Sequence, residues 1–335
     1  MYVAWRDAVH ARGRFLLMVG VVLMISVLVG LLSGLTKGLG EQSTSAITGL
    51  RTERLVFSGG TPDFASSRVP ASAGIEGEPI GLATTRATAD EKTTPVTAMG
   101  VRPGSSAAPD AARVAPGRIV LTAPLADELG LAEGDSVGLG TESYVVADIR
   151  GEASYSHTPV VWLALDDWTA LTGADAPTVV ATSDVADVPE GYTSVALGDS
   201  LRAIGAYSSE NGSLQLIRAF LLAISALVVG AFFTVWTMQR AGDIAVLKAL
   251  GASTSFLLRD ALGQAALLLL GGVGLGALLV LALGTVVGRD VPFVLDAVTL
   301  GGPLLLLALL GMCGAALAVR RVSTVDPLTA LGSAR

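Results

Sequence analysis

Tyr207 and Glu210 stand three residues apart in AYSSE, which puts them on one face of a helix. Tyr155 and His157 stand two apart in SYSHTPVV, ahead of a strand-like run. Together they offer phenol oxygen, carboxylate and imidazole. Tyrosinate is a hard oxygen ligand that suits ferric iron, and a carboxylate accepts a proton or binds iron weakly. The first apolar run adds Met24, Lys37 and Glu41, and Arg218 stands beside the second. A charge that close to hydrocarbon usually faces a partner or a cavity. Each group also has a plainer use. A tyrosine at a membrane boundary is commonly an aromatic anchor, a lone histidine a hydrogen-bonded surface residue, and Glu41 and Glu210 solvated helix ends.

Other chemistries are absent from the sequence. No nucleophile, base and orienting group converge, so no catalytic residues are expected and an enzyme is the least favoured reading. G-x-x-x-x-G-K-[ST] occurs nowhere, so the chain has no loop to cradle a nucleotide. Cys313 is the single cysteine, and His10 and His157 are the only histidines. Disulfide frameworks and Cys/His metal clusters are thereby excluded.

The elements that must position these residues follow from composition. Of 335 residues, 51% are hydrophobic and only 15% charged, against about 25% charged in a soluble domain. Phe15–Leu35, Ala219–Met238, Ala261–Gly288 and Ala297–Val319 contain no ionisable acid or base. About 20 apolar residues cross a hydrocarbon core of roughly 30 Å. The expected fold is a polytopic α-helical membrane protein with four transmembrane helices and an extracytoplasmic α/β domain inserted between the first and second. The first run is longer than a signal-peptide core and lacks a small-x-small cleavage site, so it reads as an uncleaved span.

Charge gives the orientation. Residues 1–14, 239–260 and the tail after Val319 are short and net basic, whereas 37–212 carries 11 basic and 23 acidic residues. The positive-inside rule therefore places both termini and the 239–260 loop in the cytoplasm, and the acidic domain outside. The expected division is a cytoplasmic interfacial helix over 1–14, the first span at 15–36 and the outer domain at 37–212. The second span, 213–238, has an outer end projecting from the bilayer. A cytoplasmic helical loop at 239–257, spans at 258–288 and 297–319 around a short outer loop (289–296), and a tail at 320–335 complete it.

Within the outer domain, 54–59, 95–101, 118–122, 136–140, 143–149 and 160–165 have strand composition. APLADELGLAEGD predicts a short helix ended by Gly130, and DDWTALTG another, N-capped by Asp166 and closed by Gly173. Residues 60–116 are rich in Ala, Ser, Thr, Pro and Gly, which predicts irregular or mobile structure. Gly30-x-x-x-Gly34 and Gly272-x-x-x-Gly276 permit close helix approach.

Between the second and third spans lies MQRAGDIAVLKALGAST. Ile244, Leu247 and Leu250 share a face that excludes Arg240, Asp243 and Lys248. That is an amphipathic helix of two to three turns, stopped by Gly251 and followed by a new start at Ser253. This stretch resembles the cytoplasmic coupling element of MacB/FtsX-like ABC-transporter permeases, with Asp243 where the family usually has Glu. RRVSTVDPLTALG (320–332) resembles the family's C-terminal signature, and one span, a large outer domain and three spans is its topology. SGLTKGLGE, SYSHTPVV, AYSSE, AFFTVWTMQ and VPFVL, in that order, resemble the HrtB group of haem-exporting permeases.

The resemblance implies a separate ATPase that binds ATP, two copies of each subunit, and contact through Arg240, Asp243, Ile244, Leu247, Lys248, Leu250 and Gly251. It also implies a bacterial plasma membrane location and haem as cargo, with no permanently bound cofactor and no nucleic-acid partner. Tyr207, Glu210, Tyr155, His157, Arg218, Glu41 and Met24 are then the candidate haem contacts. Two alternatives stand beside it: export of a lipid, lipopeptide or antibiotic, and an FtsX-like mechanical regulator of an extracytoplasmic partner.

Overall fold

The computed structural model describes residues 12–183, 188–239, 253–288 and 291–323, together with Gly242, Val246 and Gly251. In chain order, α1 (Arg12–Thr48) leads to β1 (Arg54–Ser58), β2 (Glu78–Ala89), β3 (Lys92–Val101), β4 (Arg118–Leu121) and α2 (Ala123–Leu129). Next come β5 (Ser136–Leu139), β6 (Glu142–Ile149), β7 (Ser154–Tyr155), β8 (Thr158–Ala164) and α3 (Leu165–Thr172). β9 (Val179–Thr182), β10 (Tyr192–Ala196), α4 (Gly205–Gln239), α5 (Thr254–Val287) and α6 (Ala297–Ser323) complete the elements used below. The chain forms two compact units, Met1–Gly38 with Ser213–Arg335, and Leu39–Gly212.

Among the described residues, four helices are long and apolar enough to cross a membrane. Their packing depends on small residues. A Cβ on Gly272 would lie 2.6 Å from Val22 Cβ, and one on Gly276 2.5 Å from Ser26 Cβ. One turn further along, a Cβ on Gly30 would meet Val280 at 2.8 Å. The two glycine motifs thus seat α1 on α5 within one chain, with Val22, Ser26 and Gly30 opposite Gly272, Gly276 and Val280. Phe293 and Pro292, after α5, pack over Gly34 and Gly38, and Val294 N donates to the Gly34 carbonyl (3.2 Å). On α6, Gly314 packs against Gly230 of α4. Met18, Val22, Val229, Phe233, Leu268 and Ala315 share the core of the first unit. Cys313, on α6, is exposed.

The second unit is built on a mixed sheet. β2, β3, β8, β4, β6 and β5 pair in sequence, and β5 returns to β2 at Ala87↔Leu139, closing a six-stranded ring. β3–β8 and β4–β6 are parallel; the other pairs of the ring are antiparallel. The opposite half of β2, Glu78–Ile80, pairs instead with β9, which leads to β1 and β10. Ile119, Leu121, Leu139, Val146, Leu163 and Trp168 fill one core. A second core gathers Leu55, Phe57, Phe64, Met99 and Trp162 with Ala46, Ile47 and Leu50 from the end of α1.

Residues 60–116 are not the irregular segment their composition predicts: β2 and β3 form a ten-pair hairpin at the heart of the sheet. The small residues are there for packing. A Cβ on Gly81 would lie 2.4 Å from Trp168 Cδ2, and one on Gly100 2.4 Å from Trp168 Cβ. Only glycine lets the indole lie flat on both strands. Low hydrophobicity in this stretch marks a socket, since Trp168 alone supplies the apolar bulk.

One local expectation needs amendment. Asp166 does not cap α3: Ala164 holds the N-cap position without a side-chain bond, and Asp167 accepts from Gly117 N at 2.7 Å. α1 continues unbroken past residue 36 to Thr48, 37 residues in all, about 55 Å. Gly130, Gly173 and Gly251 do take left-handed backbone (φ +76°, +65° and +91°) at the expected stops, and Ser253 Oγ caps α5 by accepting from Phe256 N.

Candidate ligand site at the Ser156–His157 turn

β7 and β8 are joined by two residues, Ser156 and His157, both with left-handed backbone (φ +49° and +65°). This is the geometry that matches strand twist in a two-residue hairpin, and Asn-Gly is its favoured occupant. A histidine in that conformation costs of order 1 kcal/mol or more, so surrounding contacts must hold it.

Those contacts come from α1 and α4. Ser156 N donates to the Ser43 carbonyl (3.1 Å) and His157 N to the Gln42 carbonyl (3.2 Å). Ser45 Oγ accepts from Ser154 N at 2.8 Å. His157 Nε2 lies 2.9 Å from Ser43 Oγ and 2.8 Å from Glu210 Oε2. A carboxylate only accepts, so Nε2 carries the proton and donates to Glu210. One turn before Glu210, Tyr207 packs on the second core and reaches Gly40, where a Cβ would sit 3.7 Å from its ring. Gly40 and Ser43 of α1 therefore face Tyr207 and Glu210 of α4, with His157 bridging the second pair.

The structure brings together three of the seven candidates, Tyr207, Glu210 and His157, and separates others. Tyr155 points into the core, its ring edge-on to Phe64 with centroids 5.8 Å apart. Burial, with a smaller contribution from Asp63, pushes its phenol well above the usual tyrosine range, so tyrosinate is strongly disfavoured there. Glu41 is exposed on α1, next to Gln42, whose carbonyl the turn engages. Met24 and Arg218 belong to the helical unit: Met24 is 65% exposed on the outside of α1, and Arg218 is half-buried with no hydrogen bond or ion pair among the described residues.

Of the coupling residues, Gly251 alone is described; Arg240, Asp243, Ile244, Leu247, Lys248 and Leu250 lie outside the described residues. Ser43 is the contact that sequence reasoning missed. Nothing in a serine within a polar helical stretch distinguishes it before His157 is placed.

Beside Tyr155 opens a cleft of about 470 Å³ lined by Asp63, Phe64, Arg68, Thr84 and Thr97. Asp63 accepts from Ser66 Oγ and Ala65 N, which hold its carboxyl below the usual carboxylate range.

Four apolar helices among the described residues, with an α/β unit between the first and second, define a membrane protein. Residues 216–327 match the FtsX-like permease C-terminal family. Over its full length it is similar to a Staphylococcus epidermidis protein named as the hemin transport system permease HrtB, at 22% identity across 99% of both chains. An uncharacterized ABC transporter permease of Mycobacterium bovis is 24% identical, again across 99% of both. Among solved structures, the extracellular domain of the noncanonic ABC-type transporter YknZ aligns with a TM-score of 0.32 and 12% identity, covering 43% of this chain and 100% of that one.

Proposed function

We propose that this chain is the permease subunit of an ABC-type efflux pump and that its cargo is haem. The observation that carries the reading is the convergence of Tyr207, Glu210 and His157 where α1 and α4 face each other. The oxygen donors of Tyr207 and Glu210, three residues apart on α4, fit ferric iron, and the full-length similarity to HrtB points the same way. Tyr207 and Glu210 are the ligand pair this reading favours.

The chain has no phosphate-binding loop, so ATP is hydrolysed on a separate subunit, two copies of which would pair with two copies of this permease. The 239–257 loop would receive the ATPase, with both termini in the cytoplasm of a bacterial cell. Closure of the ATPase pair would then pass along α1 and α4 to the outer unit by mechanical transmission.

A second reading has one observation in its favour. Met18, Val21, Val22, Val228, Phe232 and Leu268 line a small apolar recess of about 20 Å³ in the helical unit, a lining whose chemistry suits hydrocarbon better than a chelate with two propionates. The two readings separate in a haemin titration of the permease–ATPase complex in detergent. Haem cargo gives a saturable Soret change that Tyr207→Phe or Glu210→Ala shifts or weakens. A spectrum identical to free haemin in detergent, insensitive to both substitutions, removes haem and leaves lipid.

A further inference from the structure

Glu210 is held by one contact, His157 Nε2 at 2.8 Å, with no other hydrogen bond or ion pair among the described residues. His157 is itself over-determined: its left-handed backbone is unfavourable for a side chain with a Cβ, yet backbone and ring together make three bonds to α1 and α4. Strain of this kind, maintained by contacts to two separate helices, is the signature of a fixed position rather than of a free ligand side chain. The same Nε2 that a histidine ligand would offer to iron carries the proton given to Glu210. Ligation by His157 would require loss of that proton as well as the bond.

We propose that His157 is a latch on Glu210 and not an iron ligand. In the cargo-free chain it occupies the carboxylate that would reach iron. Haem binding then exchanges the His157–Glu210 hydrogen bond for a Glu210–iron bond. Water leaves the iron, and the proton stays on Nε2, which keeps Ser43 Oγ as its acceptor. This assignment rests on the haem reading and adds to it the regulation of that site: haem is accepted only against the closed pair. His157 is thus a positioning residue that lowers affinity for cargo and limits occupation by weaker ligands.

The test uses the full permease–ATPase complex in nanodiscs and the variant His157→Asn. Asparagine tolerates left-handed backbone, so the turn is preserved while the reach to Glu210 is lost. Haemin is titrated and followed at the Soret band. With side chains 29% and 45% exposed, the pair is solvent-screened, so the expected gain in haemin affinity is roughly two- to fivefold with an unmoved Soret maximum. A shifted maximum or lost binding would make His157 a ligand and overturn the proposal. Unchanged affinity would show that no competition exists, and overturn it equally.

A second readout needs no haem. The chain has two histidines, so ¹⁵N-histidine permease assembled with unlabelled ATPase gives two sets of ring signals, and His10→Gln assigns them. The cargo-free His157 signal is expected to move in Glu210→Gln. If it does not, the latch falls alone; if the wild type binds no haemin saturably, the haem reading falls and takes the latch's cargo with it.

Discussion

His157 and Glu210 meet at 2.8 Å across 53 residues of sequence, and the meeting ties the central sheet to the first turns of α4. The path runs from Glu210 through the turn into β8, which lies between β3 and β4. Because both side chains remain partly exposed, the pair contributes little to stability, about 0–1 kcal/mol. Glu210→Gln is therefore expected to leave the thermal unfolding midpoint within a few degrees of wild type. A collapse of the midpoint would mean that the pair is structural rather than functional.

Trp168 gives the opposite case. Its ring fills the space over Gly81 and Gly100. Trp168→Ala is expected to cost about 3–5 kcal/mol and Gly81→Ala about 1–3 kcal/mol from overpacking. Urea unfolding of the full chain, followed by near-ultraviolet circular dichroism, measures both. Wild-type stability in Gly81→Ala would show that the indole can move aside.

Tyr155 separates core from ligand roles. Its pKa is raised chiefly by burial and then by Asp63. A phenol whose folded pKa is raised favours folding while neutral, and the contribution is lost as pH climbs from the ordinary value of about 10. Tyr155→Phe is expected to leave haemin binding unchanged and to reduce unfolding in alkali. Loss of the Soret change in this variant would restore Tyr155 to the ligand set.

Asp63 has the reverse sign. Its folded pKa is lowered from 3.8, first by the Ser66 hydroxyl and then by the Ala65 amide. Its contribution is present above 3.8 and disappears as pH falls through the lower folded value. Asp63→Asn is expected to be slightly less stable than wild type at neutral pH, to converge with it in acid, and so to flatten the acid limb of the stability curve below about pH 4. An unchanged acid limb would show that the turn at Ser66 carries no linkage.

Much of this was legible in the sequence. Charge-free runs announce spans because hydrocarbon tolerates little else, and runs rich in β-branched and aromatic residues announce strands by composition, as in β4, β6 and β8. β2 was not legible, since Ile80 and Leu82 are its only large apolar groups and Ala, Thr and Arg fill most of the rest, and its reason, the Trp168 ring, lies more than 60 residues away. The same holds for the glycine motifs: their spacing shows close approach, but only the structure shows that α1 and α5 consume it on each other. At the site, helical spacing paired Tyr207 with Glu210. Placing His157 beside them required the turn, and the turn's left-handed serine and histidine carry no sequence signal for it.

Haem export is tested most directly by ATP turnover of the permease–ATPase complex in nanodiscs as haemin is added. The expected result is a saturable rise in wild type that is lost in Glu210→Ala, with basal turnover retained because Glu210 lies in the α/β unit, apart from the 239–257 loop. Turnover that is flat with haemin, or that rises equally in Glu210→Ala, contradicts haem as cargo at this site.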